Sequence, residues 1–220
     1  MEIRRTANAG VLLTLDGISI LLDGVCREYK PYPATPDSEK DAIRKCWPDV
    51  VAFTHVHEDH YDPDFAAEFQ RQTGGVILGP EDLAGCVTTQ EIQVGPVTVT
   101  AVKSRHIGAA FKDTQHVSFI VQGSRCIWFT GDASPLQWKD RADLPSPDVV
   151  IAPYAYAATP SALHLVESLG AKELVILHLP EREDDSLGLW DAVNGTLQEG
   201  TTLKVYIPSM SQKQSLLGFK

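Results

Sequence analysis

What the chain lacks narrows its chemistry first. It has no Cys-x-x-Cys pair: Cys26, Cys46, Cys86 and Cys126 stand far apart. That spacing removes the thiolate zinc and dithiol redox motifs. The four read as free thiols, mostly buried in strands or helix faces, with Cys126 in the core run Cys126-Ile127-Trp128-Phe129. No apolar run approaches the roughly 20 residues that span a bilayer. Met1-Glu2-Ile3-Arg4-Arg5 leads into a strand pattern and not into the apolar region of a secretory signal. A cytoplasmic protein with no membrane association is therefore expected. Positive charge is also scarce, with 19 Lys and Arg against 29 Asp and Glu, a net charge of −10. Nucleic-acid surfaces are usually basic, so nucleic acid is not an expected partner. There is no low-complexity stretch and no exact repeat.

What is present suits one globular unit. At 220 residues and 43% apolar content, a single domain spanning 1–220 is expected, large enough for a real core. Val11–Leu15, Asp16-Gly17 and Ile18–Leu22 read as a hairpin, because Asp-Gly tolerates the positive φ of a tight turn. Further strands are expected at 49–53, 76–78, 92–94, 97–102, 117–121, 126–130, 148–152, 173–177 and 203–207. Helices are expected at 38–45, with Ser38-x-x-Asp41 as a capping box, and at 63–72, with Asp62 as N-cap and Pro63 in the first turn. Two more follow, one from Thr159-Pro160 to Gly170 and one over 186–197. Strand pairs followed by β-α alternation occur twice, which suits two βα halves facing each other.

The densest chemistry lies in Phe53–Asp62, F-T-H-V-H-E-D-H-Y-D, between an apolar strand and a helix start. Three histidines (His55, His57, His60) and an aspartate (Asp59) on one strand-to-helix loop are ligands for divalent ions. In an extended segment His55 and His57 point the same way. Asp59 and His60 come after the chain turns and serve a second position.

H-x-H-x-D-H after a hydrophobic strand resembles the signature of the metallo-β-lactamase fold superfamily. That family continues with a histidine, an aspartate and a histidine, each just past a strand. The chain offers His106 after Ser104-Arg105, Asp132 after Phe129-Thr130-Gly131, and His178 after Ile176-Leu177. The resemblance implies an α/β four-layer αββα sandwich carrying two divalent metal ions, zinc first, with manganese or iron(II) as alternatives. It assigns His55, His57 and His106 to one ion, Asp59, His60 and His178 to the other, and Asp132 to both. A hydroxide bridged between the ions would attack an ester, lactone, thioester or phosphoester, with Asp59 also orienting the nucleophile. The lactonase-like branch is the expected one. The alternatives are an iron redox protein on the same scaffold and a nuclease-type phosphodiesterase. Flavodiiron-type relatives carry a carboxylate where this chain has His57, which counts against the redox alternative.

Several positions stay open at this level. His116 competes with His106 as the third histidine; if His106 binds, His116 would sit by the pocket as a catalytic hydrogen-bond donor. Asp23 is either a support for the metal site, as in the family, or a turn residue. The loop Arg27–Pro33 either walls a pocket or connects strands, and Tyr154 and Tyr156 either face the mouth or pack. Lys103, Arg105 and Lys112 could hold an anionic group of a small-molecule substrate. His164 reads as a core or surface helix residue, and 181–185 as a solvated loop.

Overall fold

The computed structural model describes residues 1–81, 83, 88–139, 141–210 and 213–215. The first half runs β1 (Glu2–Arg5), β2 (Val11–Leu15), β3 (Ile18–Leu22), α1 (Asp37–Lys45), β4 (Val50–Ala52), α2 (Pro63–Thr73), β5 (Ile77–Leu78) and β6 (Thr88–Thr89). The second runs β7 (Glu91–Val94), β8 (Val97–Ser104), β9 (His116–Gln122), β10 (Cys126–Phe129), β11 (Val149–Pro153), α3 (Pro160–Ser168), β12 (Glu173–Leu177), α4 (Leu189–Gln198) and β13 (Lys204–Tyr206). Strand β14 (Lys213–Ser215) returns to pair with β1, so the sheets have the orders β14-β1-β2-β3-β4-β5-β6 and β13-β12-β11-β10-β9-β8-β7.

Three apolar layers hold this arrangement. Between the sheets pack Leu13, Ile20, Leu22 and Val50 from one and Val99, Phe119, Val121, Ile151 and Val175 from the other. Side chains alternate along a strand, so Val150 and Ile176, one residue on, face outward onto Leu163, Val166 and Val193 of α3 and α4. Val51 and Phe53 likewise meet Ile43 of α1 and Phe65 and Phe69 of α2. Helix, sheet, sheet, helix is the expected αββα sandwich. Among the described residues no helix is long and apolar enough to cross a membrane.

Helix ends follow local chemistry, with exceptions. The Asp62 carboxylate accepts from the amides of Asp64 and Phe65, Pro63 occupies the first turn, and Gly74 at φ 69° ends α2. Thr159 caps α3 through Ala162 N. The expected capping box at Ser38 does not form. Helix α1 starts one residue earlier, after Pro36, with no side-chain cap. Helix α4 starts at Leu189, three residues later than expected, because Asp185 accepts from the amides of Leu189 and Trp190 and Gly188 turns at φ 69°. The exposed 181–185 loop is thus anchored at its end. Cys46 is exposed, against expectation, because it caps the outer end of α1; Cys26 is buried and Cys126 half-buried. Cys86 lies outside the described residues. His164 is exposed on α3.

One surface contact carries a pH prediction. Glu167 on α3 accepts from Thr201 Oγ1 (2.7 Å) and from Thr202 N (2.7 Å) and Oγ1 (3.0 Å), tying α3 to the segment before β13. These donors hold its carboxyl down to about 2, from an ordinary 4.5. A depressed folded-state pKa stabilises above the unfolded value and ceases to do so as pH falls through the folded one. The melting-temperature gap between the native chain and Glu167→Gln should therefore be full above pH 4.5 and vanish near 2. A gap that is the same at both ends of a pH series would remove this link.

Candidate metal centre

Strand β4 ends against Asp23, and the histidine loop is built outward from that contact. Asp23 is fully buried at the end of β3 and accepts from Thr54 N (2.7 Å) and Thr54 Oγ1 (2.6 Å). It also accepts from His60 Nδ1 (2.8 Å). Since the Thr54 hydroxyl gives its hydrogen to Asp23, its oxygen takes one from His55 Nδ1 at 2.8 Å. One carboxylate thereby turns the Nδ1–H of two imidazoles toward itself, directly or through Thr54, and aims both Nε2 atoms at the cluster, an arrangement frequent around metal-binding histidines. Asp23 therefore supports the site and is not merely a turn residue. Its own φ is 46°, a strained value for a non-glycine residue.

The other side chains reach the rim from the second sheet. His106 follows β8 and donates Nδ1–H to Ile107 O (2.6 Å). Asp132 follows β10 and Gly131, whose φ is 51° and where an added Cβ would stand 2.5 Å from Thr54 Cγ2. Glycine there lets the two loops touch. His178 follows β12 at φ 62°, its amide bonded to Asn8 O (3.2 Å). Buried Arg5 holds that same carbonyl (3.0 Å) together with Pro208 O (3.2 Å), bracing the turn that carries His178.

The seven side chains singled out from the sequence meet in one place. His55, His57 and His106 offer nitrogens within 4.8 Å of one another, and so do Asp59, His60 and His178 with their ligand atoms. His55 Nε2 lies 3.0 Å from His57 Nδ1. Asp132 Oδ2 stands between the groups, 3.6 Å from His106 Nε2, 3.4 Å from His60 Nε2 and 3.5 Å from His178 Nε2. Asp59 Oδ2 is 3.2 Å from His178 Nε2.

His116 also arrives, its ring 4.9 Å from His55, but it is not one of the His55, His57, His106 group. Ser118 Oγ bonds Thr130 O at 2.8 Å and Ser104 Oγ at 3.0 Å, and Ser104 Oγ meets His116 Nδ1 at 2.7 Å. Each hydroxyl has one hydrogen. All three contacts are satisfied together only if Ser118 donates to the carbonyl, Ser104 to Ser118 and His116 Nδ1–H to Ser104. Nε2 of His116 then carries a lone pair, so toward the cluster it is an acceptor and not the donor the sequence reading made it. Burial and the neighbouring rings push its pKa down to about 3.

The donor set fits a metal on its own terms. Nε2 of His60, His106 and His178 and Oδ1 of Asp132 are buried without any hydrogen-bond partner, and buried polar atoms left unpaired are costly. Burial alone would raise the carboxyl of Asp132, yet the charges of His178 and His60 hold it well below its usual range. Burial would likewise lower His60, but Asp132 and Asp23 raise it well above the usual imidazole value. Burial pushes His55 far down, which favours the neutral imidazole that binds metal.

Rings frame the opening. Phe111, in the short 3-10 turn 109–111, packs 5.2 Å from His57 and 4.8 Å from His106. Tyr32 meets His178 edge-on at 4.4 Å, so the Arg27–Pro33 loop walls the site, and Tyr154 stands 6.3 Å from the same ring. Burial, then the neighbouring Tyr154 and Asp132, push the phenol of Tyr32 up; burial and Asp132 do the same to Tyr154. Tyr156 is not at the mouth. It is buried, accepting from Trp138 Nε1 (2.6 Å) and donating to Ala133 O (2.9 Å). Thr54, Arg5, Phe111 and the Ser104–Ser118 pair escaped the sequence reading; only the adjacency of Thr54 to His55 hinted at any of them.

Two sheets enclosing a His/Asp cluster on their shared rim define a metallo-β-lactamase type of fold. The family described as beta-lactamase superfamily domain matches residues 2–178, and the chain belongs to that superfamily. None of the curated proteins matches. Among solved structures, an isothiocyanate hydrolase from Delia radicum gut bacteria is similar at 16% identity and TM-score 0.66, covering 98% of this chain and 99% of that one. Igni18, a metallo hydrolase from the archaeon Ignicoccus hospitalis, is similar at 16% identity and TM-score 0.70, covering 100% and 99%. CmlA, a diiron β-hydroxylase from Streptomyces venezuelae, is similar at 15% identity and TM-score 0.65, covering 98% of this chain and 54% of that one.

Proposed function

We propose that this chain is a metal-dependent hydrolase of small esters, lactones, thioesters or phosphoesters. The observation that carries the reading is the set of buried, unpartnered atoms converging from four segments: Nε2 of His60, His106 and His178 and Oδ1 of Asp132. In this reading His55, His57 and His106 hold one divalent ion, Asp59, His60 and His178 a second, and Asp132 touches both. Zinc suits such an imidazole-rich set best, with manganese and iron also accepted. Bound there, two ions would lower the pKa of water toward neutrality and polarise a substrate carbonyl or phosphoryl oxygen.

The chain's own groups then have distinct tasks. Asp23 and Thr54 keep His55 and His60 turned with Nε2 inward. Asp59 accepts a hydrogen bond from the attacking water and orients it. Nε2 of His116 accepts a hydrogen bond from the bound substrate. Phe111 and Tyr32 exclude bulk water from two sides of the cluster. A cleft of about 510 Å³ adjoins His116 and is lined by Lys103, Arg105 and Lys112 together with Glu81 and Asp113. Among the described residues none of those three cations is in an ion pair, which supports an anionic group on the substrate.

The test starts from protein purified without chelator. Elemental analysis is expected to find about two zinc ions per chain, and a panel of lactones, thioesters and phosphodiesters to contain at least one compound turned over. His55→Ala should lose metal and turnover together. Intact metal content and activity in that variant would sink the assignment, and iron with no ester turnover would favour redox chemistry.

A further inference from the structure

We propose that the hydroxyls of Tyr32 and Tyr154 form a paired donor site, on the His178 side of the cluster, for the substrate oxygen that gains negative charge during hydrolysis. This rests on the hydrolase reading above and adds to it the groups that recognise the reacting carbonyl or phosphoryl oxygen.

The two tyrosines come from opposite halves of the sandwich and converge on one ring. Tyr32 lies on the loop after β3, edge-on to His178 at 4.4 Å, and Tyr154 begins the 3-10 turn after β11, 6.3 Å from it. Both are half-buried.

Their hydroxyls differ from that of their neighbour. Tyr156 spends its hydroxyl on Trp138 and Ala133 inside the core. Among the described residues neither Tyr32 nor Tyr154 has a hydrogen-bond partner for its hydroxyl. A half-buried phenol with no protein partner keeps its O–H for whatever enters the site, and here two such phenols flank one polar cluster.

Neither position is loose. Tyr32 is pinned by the paired backbone bonds Tyr29 N to Tyr32 O (3.0 Å) and Tyr32 N to Tyr29 O (2.8 Å). The same loop is tied to the histidine loop by Arg27 N to Glu58 O (2.7 Å). Tyr154 is held by Ala157 N to Tyr154 O (2.9 Å). Donors fixed in advance, in a partly dry site, stabilise developing charge more than mobile ones do. The ligand chemistry is thus an oxygen acceptor with partial or full negative charge: a carbonyl becoming tetrahedral, or a phosphoryl group.

The experiment uses the metal-loaded protein with Tyr32→Phe, Tyr154→Phe and the double variant. Tyr29→Phe, exposed on the same loop, is the control. Phenylalanine keeps the ring contact with His178, so metal content and melting temperature should stay at wild-type values. With the best substrate from the panel, kcat should fall about 100-fold in each single variant while KM changes little, as expected for a lost oxyanion donor. Inorganic phosphate, titrated calorimetrically into the loaded protein, should bind the variants about tenfold more weakly, close to the net worth of one hydrogen bond. Unchanged kcat in both single variants overturns the proposal, as does a kcat loss that merely tracks lost metal. If the wild type turns over no substrate, the hydrolase reading fails by itself. The phosphate titration then still decides: equal affinity in all variants, or no binding to wild type, rejects the phenol pair.

Discussion

Asp132→Ala should leave a folded protein that has lost nearly all turnover. The carboxylate stands within 3.6 Å of nitrogens from three histidines, and its Oδ1 is buried without a partner. Removing it takes away the group assigned to both proposed ion positions. It also leaves Asp59, 3.2 Å from His178 Nε2 and 3.9 Å from His60 Nε2, as the one carboxylate of the seven-residue cluster. Metals contribute several kcal/mol of charge stabilisation, so a loss on the order of 10³-fold in kcat/KM is expected. Metal content should fall with it, and the melting temperature of the metal-loaded protein should fall as well, because a ligand held only by the folded form no longer stabilises it. Asp132→Asn separates size from charge: it fills the space but should recover little activity. Wild-type turnover in either variant would show that the seven-residue cluster is not the reacting centre.

Asp23→Ala should act mainly on stability. Its carboxylate is fully buried and accepts from Thr54 N, Thr54 Oγ1 and His60 Nδ1. Truncation strands three donors where water does not reach. Breaking a buried, hydrogen-bonded charge pair typically costs about 3–5 kcal/mol. In a chain of this length that corresponds to a fall of roughly 10 °C in melting temperature. Freed imidazoles also cost metal affinity, about 10–100-fold for the loss of a group that orients ligands. Calorimetry with and without added metal separates the two effects. A variant that melts like the native protein would mean that water enters and satisfies those donors.

The layers of the fold were readable because they rest on local rules. The Asp16-Gly17 turn sets a hairpin register, and the unbroken apolar run Val149–Pro153 reports burial on both faces. Asp62-Pro63 and Gly74 punctuate α2. The cluster was readable for a different reason: His55, His57, Asp59 and His60 crowd one loop, and each later candidate directly follows an apolar strand. What stayed hidden depends on distance along the chain. Asp23 reaches Thr54 across thirty-one positions, and nothing near Asp23 says that its φ is positive. Phe111 sits in a loop with no periodicity, so its packing on His57 and His106 left no trace. Asp185 looked like one more solvated acid in a charged run, yet it sets where α4 begins. His116 was placed near the site, but its hydrogen direction depends on Ser104 and Ser118, which only the register Ser104 against His116 brings alongside.

The cluster draws four of its side chains from the loop behind the first sheet and three from strand ends of the second. Any cation seated there rivets the two halves of the sandwich along their open seam. Resistance to heat should then track free cation in the buffer, because a ligand held only by the folded form stabilises it by mass action. The protein's working lifetime would be governed by the supply of its ions, quite apart from their part in the chemistry.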